Sequence, residues 1–333
     1  MATLAVLGAG SFGTALALQL ARREHRAVLW GRNTAHLRLL ADERVNTEFL
    51  PGCKFPANLE TSADLKQTVA EADDIVVAVP SHALREVLET LAPLLGQSAQ
   101  GIVCACKGLE PGTGRLPHEV VKSVFGTSRS LAVISGPTFA KEIGAGLPTG
   151  VTVASPDARY AKKISHAFHG GGFRAYSSDD IVGVEVGGAV KNVLAIAVGA
   201  ADGLGLGANT RTVLITRGLA EIMRLGDALG AQRETLMGLS GVGDLVLTCT
   251  DDQSRNRRFG LAMAKGKTVA EALAEIRQVV EGVRVAPEVL RRSREHGVEM
   301  PITEQVVDVL SGKTTPIEAL KILATRPSRA ETD

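Results

Sequence analysis

The sequence lacks an excess of charge of either sign: its 37 basic and 36 acidic residues leave a formal net charge of +1. A chain so balanced is not built around a nucleic-acid polyanion, although a local basic patch is compatible with it. Cysteine is scarce too. Cys53, Cys104, Cys106 and Cys249 show neither metal-ligand nor disulfide spacing, and Cys104 and Cys106 lie in an apolar run suited to a buried strand. That usage fits a reduced, cytoplasmic setting. Long apolar runs are missing: the longest, Val193 to Ala201, falls far short of the ~20 residues that cross a bilayer. No basic segment precedes the first apolar strand, so neither a membrane span nor a secretory leader is expected. Aromatic residues make up only 3% of the chain, and no internal repeat is visible.

What is plentiful is glycine, with 36 among 333 residues, inside a composition that is 45% hydrophobic. A chain of this length has room for two domains. Its first half alternates β-like runs (Thr3–Gly8, Ala27–Gly31, Ile75–Pro80, Gly101–Cys106, Leu131–Ser135, Gly150–Ala154 and Phe173–Ser177) with amphipathic segments such as Phe12–Arg23, Leu84–Leu95 and Ala158–Phe168. Apolar strands alternating with helices predict a mostly parallel sheet covered on both faces. After about Asp179 the β signal stops, and six helical stretches follow between Ile181 and Leu310, with the polar tail Ala324–Asp333 expected to fray. The expectation is a Rossmann-type, doubly wound α/β domain over residues 1–180 and an all-helical domain over residues 181–333.

Three places carry chemistry. Gly8-Ala9-Gly10-Ser11-Phe12-Gly13 stands between a strand and a helix, the context a GxGxxG segment needs to bind a dinucleotide. Gly8 suits the tight turn, Gly10 a close approach to pyrophosphate, and Gly13 strand–helix packing. A glycine turn without a ligand is the competing reading. At the end of the second strand, where a carboxylate would select NAD, the chain offers Arg32, which can pair with a 2′-phosphate. NADP is favoured over NAD, unless Arg32 is merely a solvated loop residue.

The second place is Lys191, in a stretch from Val184 to Ala197 that is apolar on nearly every face. A buried ammonium must be paired, deprotonated or facing a polar cavity. Burial also lowers its pKa towards values useful for proton transfer. A structural ion pair, with Glu185 or another acid, is the plainer alternative. The third place is Ser240-Gly241-Val242-Gly243-Asp244, with Thr248 and then Ser254-Arg255-Asn256-Arg257-Arg258. The glycines beside Val242 suggest close backbone approach. Ser254 is a good N-cap, and with Arg255 and Asn256 it can converge on a phosphate; a capped helix with a solvated basic face would look the same. Lys107 ends a strand on the side where open α/β sheets bind ligands. His166 and His169 are spaced to share a metal, but without an acidic partner nearby a surface position is expected and no metal is assigned.

These segments together resemble the bacterial-type NAD(P)-dependent glycerol-3-phosphate dehydrogenases. The resemblance is carried by GAGSFGTALA at Gly8–Ala17, VAVPS at Val77–Ser81, KGLEPGTG at Lys107–Gly114 and SGPTFAKE at Ser135–Glu142. It continues through the KN-bearing segment Glu185–Thr210, ITRGLAE at Ile215–Glu221, GVGDLVLTCT at Gly241–Thr250, SRNRRFG at Ser254–Gly260 and VVEGV at Val279–Val283. It implies interconversion of dihydroxyacetone phosphate and sn-glycerol 3-phosphate, supplying glycerophospholipid synthesis, in a cytoplasmic homodimer. It makes Lys191 the proton acceptor in alcohol oxidation, and places Lys107, Gly136, Thr138, Asp244, Ser254, Arg255 and Asn256 against the substrate with it. Cofactor contacts fall on Ser11, Phe12, Arg32, Lys107, Ala140, Arg255, Val279 and Glu281. Phe12 departs from the Trp or Tyr common in the family, keeping the aromatic face and losing the polar handle. Two other readings remain: a β-hydroxyacid dehydrogenase, and a non-catalytic NAD(P)-binding sensor.

Overall fold

The computed structural model describes residues 1–96, 98–327 and 330. Its strands are β1 (Thr3–Leu7), β2 (Arg26–Trp30), β3 (Val45–Asn46), β4 (Leu50–Lys54), β5 (Leu59–Ser62), β6 (Asp74–Val77), β7 (Gly101–Cys104), β8 (Leu131–Ser135), β9 (Thr149–Ala154) and β10 (Phe173–Ser178). Eight of them form one sheet in the order β10-β9-β8-β7-β6-β1-β2-β5, while β3 and β4 make a separate hairpin. The strands alternate as their period of two requires. Leu4 and Val6 pack on one face with Leu16, Leu20, Ile164 and Phe168; Ala5 and Leu7 pack on the other with Leu84, Leu88, Leu91 and Val120. The result is a doubly wound, mostly parallel sheet.

Several elements escaped the sequence reading, among them the helices Thr34–Glu43, Pro117–Phe125, Asp244–Thr250 and Pro316–Ala324. β5 is a short edge strand with one buried residue, and the β3–β4 hairpin is mostly exposed, so neither offers a hydrophobic run. The helix Ala140–Ala145 was also missed, and with it comes a reversal: β9 runs antiparallel to β8. A six-residue helix is ~9 Å long and cannot carry the chain back past a five-residue strand of ~17 Å. The connection therefore stays at the C-terminal edge of the sheet and β9 starts there. That keeps Gly136, Thr138 and Ala140 at the edge where the crevice opens. The 11-residue helix Ala158–Phe168 then makes a full crossover, and β10 lies parallel to β9.

From Ile181 onward the described chain is helical. Asp180 starts it, its carboxylate accepting hydrogen bonds from the N–H groups of Gly183 (2.8 Å) and Gln232 (2.9 Å). The helix Ile181–Gly203 has 23 residues, and contrary to the estimate from its longest apolar tract it is long and apolar enough to cross a bilayer. It is instead the axis of the helical half, with 94% of its most apolar window buried inside the protein. Around it pack Leu214, Ile222, Leu245, Phe259, Val285 and Val289. Of the polar tail, Ala324 ends the last helix, Pro316–Ala324; residues 328–329 and 331–333 lie outside the described residues. All four cysteines are free, and His166 and His169 are exposed.

Candidate active site

The glycine turn leads from β1 into the helix Ser11–Arg22. Gly8 has a φ of +123°, and a Cβ there would stand 2.5 Å from the Ala78 carbonyl oxygen. A Cβ on Gly13 would stand 1.9 Å from the carbonyl oxygen of Gly8. Both positions accept only glycine. Nothing lies within 4 Å of where a Cβ on Gly10 would be, so the backbone there is open beside the helix's first N–H groups. An open, donor-rich turn of this kind fits a pyrophosphate. Asn46, fully buried, pins it by donating from Nδ2 to the Ala9 carbonyl (3.0 Å) and to Thr14 Oγ1 (2.8 Å). Ser11 Oγ donates to the Phe49 carbonyl (2.7 Å), tying the turn to the β3–β4 hairpin. No periodic signal marked Asn46, a polar residue ending the two-residue strand β3.

Arg32 follows β2 and is exposed, with its Nη1 3.3 Å from Glu86 Oε1. Across the crevice, the helix Glu281–Glu295 reaches the end of β6: the Ser81 N–H (3.2 Å) and hydroxyl (2.7 Å) both donate to the Glu281 carboxylate. Half-buried Val279 precedes that helix, and Ala140 opens its own helix on the sheet side.

At the centre, two lysines converge on one carboxylate. Lys107, just past the end of β7, donates to Asp244 Oδ2 (2.8 Å), the Gly136 carbonyl (2.8 Å) and Thr138 Oγ1 (3.0 Å). Lys191 donates to Asp244 Oδ1 and to Thr248 Oγ1 (2.9 Å). Asp244 is 1% exposed and Lys191 6%. Close backbone approach brings them together: a Cβ on Gly187 would lie 2.3 Å from the Ser240 carbonyl oxygen, and one on Gly241 1.8 Å from that of Leu236. Gly243, by contrast, would keep ordinary contact distances. Burial pulls the Lys191 pKa down to about 8, with the Asp244 charge opposing and the Lys107 charge assisting. Glu185 is not its partner, because that buried carboxylate is taken by the His118 N–H (2.8 Å) and ring (2.5 Å). The Phe12 ring lies 5.5 Å from Lys107 Nζ, so its aromatic face stands beside the same cation. Two ammonium groups sharing one anion leave net positive charge for an oxygen that gains electron density.

A third group of residues lies alongside. Ser254 caps the helix Arg255–Ala264, its Oγ accepting from the Arg257 N–H (3.2 Å). Arg255 is half-buried, and burial disfavours its charge, with Arg258 adding and Glu281 opposing. Arg257 is no solvated basic residue: it is buried and donates to the Cys249 carbonyl (3.1 Å), Asp202 (2.7 Å) and Asp252, fixing the loop that leads to Ser254. Asn256 Nδ2 donates to Asn192 Oδ1 (2.8 Å), and its Oδ1 accepts from the Gly282 N–H (2.9 Å), which leaves one N–H of its amide.

This constellation meets a consistent set of relatives. The family model described as the N-terminus of NAD-dependent glycerol-3-phosphate dehydrogenase matches residues 3–161, and that for the C-terminus matches residues 180–321. The chain belongs to the NAD-dependent glycerol-3-phosphate dehydrogenase family. It is 52% identical over 328 residues to the glycerol-3-phosphate dehydrogenase [NAD(P)+] of Xanthomonas campestris, covering 98% of this chain and 96% of that one. Identity is also 52% to that of Shewanella sp. MR-4, over 99% and 98% of the two chains. The crystal structure of a glycerol-3-phosphate dehydrogenase from Coxiella burnetii superposes with a TM-score of 0.94 at 45% identity, covering 98% and 99%. The protein is thus an NAD(P)-dependent oxidoreductase with glycerol-3-phosphate dehydrogenase activity.

Two further residues of this dehydrogenase were given no role from sequence, although Thr248 was named beside Asp244. Thr248 stands one helical turn beyond Asp244, donates to its carbonyl (2.6 Å) and accepts from Lys191. Asn192 donates to the Lys107 carbonyl (3.1 Å) and so fixes the strand end that carries the second lysine. A helix recognised over Asp244–Thr250 would have set Thr248 at i+4 on the face of Asp244 and given it this role; Asn192 carried no comparable signal.

Proposed function

We propose that this dehydrogenase reversibly reduces dihydroxyacetone phosphate to sn-glycerol 3-phosphate, with Lys191 as proton donor in that direction and acceptor in the other. The observation that carries the reading is the single Asp244 carboxylate held by both Lys191 and Lys107. When bound, the reduced nicotinamide supplies the hydride. Lys107 and Lys191 hold the substrate carbonyl oxygen, and their charge stabilises the alkoxide that develops on it. Lys191 gives that oxygen its proton. Asp244 and Thr248 fix the ammonium in place, and Gly136 and Thr138 line the substrate side next to Lys107. Ser254, Arg255 and the remaining N–H of Asn256 take the phosphate, so its binding energy orients a carbon remote from it.

The glycine turn in the domain of residues 1–180 would hold the dinucleotide, with Ser11, Phe12, Arg32 and Ala140 contributing from one side and Val279, Glu281 and Arg255 from the other. Arg32 favours NADPH over NADH. The helical domain of residues 181–333 supplies Lys191, Asp244 and the phosphate seat, and the first domain supplies Lys107. The enzyme works in the cytoplasm as a homodimer and supplies the phosphorylated backbone of glycerophospholipids.

Steady-state kinetics with dihydroxyacetone phosphate and a panel of 3-hydroxy acids, each with both cofactors, test this reading. Turnover of dihydroxyacetone phosphate with the 3-hydroxy acids left unreacted supports it, and turnover confined to the 3-hydroxy acids overturns it. Arg255→Ala should raise the KM for dihydroxyacetone phosphate about 10- to 100-fold, the scale of a lost charged hydrogen bond. It should also shrink the preference for the phosphorylated substrate over dihydroxyacetone. An unchanged preference removes Arg255 from the phosphate seat.

A further inference from the structure

The nucleotide crevice is crossed at its mouth by an ion pair to which the chemistry above gives no role. In the sheet, β1 lies between β2 and β6, which places the C-terminal ends of those two strands ~10 Å apart on either side of the glycine turn. Arg32 follows the first of these ends. Glu86 stands in the first turn of the helix Leu84–Leu95, just past the second. Their side chains meet at 3.3 Å, over the end of β1, and remain 67% and 69% exposed. A pair so open to water is held weakly, and an incoming anion can compete for the arginine.

Other charges gather at the same point. Burial disfavours a proton on His82, followed by the Arg284 charge and, more weakly, that of Arg32, while Glu281 and Glu86 favour it. Two arginines and two carboxylates therefore surround one imidazole at the junction of the two halves. The carboxylates differ in one respect. Glu281 is occupied by the Ser81 N–H and hydroxyl, whereas among the described residues the Glu86 carboxylate pairs with Arg32 alone. Glu86 is thus the carboxylate that faces whatever anion Arg32 receives.

We propose that Glu86 is a specificity-determining residue, whose carboxylate competes with the 2′-phosphate of NADP(H) for Arg32 and so restrains the preference for the phosphorylated cofactor. The inference rests on Arg32 as the 2′-phosphate partner. NADH carries no phosphate there and does not need to displace Glu86. NADPH must separate the pair and then place its dianion beside the released carboxylate. Glutamine at position 86 keeps the length and helix propensity of the side chain and removes only the charge.

The test measures equilibrium binding of NADPH and NADH to the intact enzyme by nucleotide fluorescence, at low and high salt, for the wild type, Glu86→Gln and Arg32→Gln. In Glu86→Gln the Kd for NADPH should fall about 3- to 10-fold at low salt and the Kd for NADH should stay within about twofold. The gain should shrink at high ionic strength, as an exposed charge effect must. If the two dissociation constants move together, or neither moves, the proposal for Glu86 is overturned. Arg32→Gln separates the two levels: it should weaken NADPH selectively. If it does so while Glu86→Gln has no effect, Arg32 keeps its role and Glu86 loses its own. If Arg32→Gln leaves the NADPH-to-NADH ratio unchanged, the underlying reading fails, and Glu86 fails with it.

Discussion

Lys191→Ala should lower turnover by at least ~100-fold, the scale of lost general acid–base help, and leave nucleotide binding nearly intact. The variant should fold, because Asp244 keeps Lys107 and Thr248 as partners when Lys191 is gone. A pH profile distinguishes proton transfer from simple positioning. With the Lys191 pKa near 8, the ammonium is the proton donor for ketone reduction, so kcat/KM in that direction should fall as pH rises through about 8. In alcohol oxidation the neutral amine is the base, and kcat/KM should rise through the same region and level off above it. Both inflections should vanish in Lys191→Ala. Near-normal turnover of the variant, or an unchanged inflection, would remove Lys191 from the mechanism.

Lys191 could be singled out from sequence because burial of a charge shows up as a mismatch between a residue and its surroundings. One ammonium in a helix whose neighbours are nearly all apolar demands a partner, and Asp244 was the acid in the nearest chemistry-bearing segment. Which acid would serve was not legible, since Glu185 lies in the same helix; its capture by His118 depends on a contact between distant elements. The glycine turn was legible for a local reason, its GxGxxG spacing between a strand and a helix; of its steric constraints only that of Gly13 against Gly8 is local, whereas Gly8 is confined by the distant Ala78. Asn46 and Asn192 were not legible, because a polar side chain in a two-residue strand or among small residues leaves no periodic trace, and its meaning lies in the carbonyl it meets. The direction of β9 was hidden likewise. Hydrophobicity marks a strand, but its sense follows from the length of the helix before it, and the segment Ala140–Ala145 was too short to announce itself.

Asp244→Asn should have the other large effect, and on two properties at once. The carboxylate is the counter-ion of two lysines, of which Lys191 is almost wholly buried. Asparagine keeps the shape, but it removes the negative charge and turns one oxygen into a donor facing an ammonium. Breaking a buried pair from one side typically costs about 3–5 kcal/mol, because the remaining charge stays desolvated. The thermal midpoint should therefore drop clearly, and turnover should fall because an unpaired Lys191 is pushed further towards its neutral form and no longer serves as the acid. The two losses separate in the double variant Lys191→Met/Asp244→Asn. Removing the buried ammonium should restore most of the stability, since Lys107 stands nearer the crevice with 16% of its side chain exposed. Turnover should stay at the level of Lys191→Ala. A double variant as unstable as Asp244→Asn would mean that Asp244 serves chiefly Lys107 or the loop preceding it, and not the ammonium of Lys191.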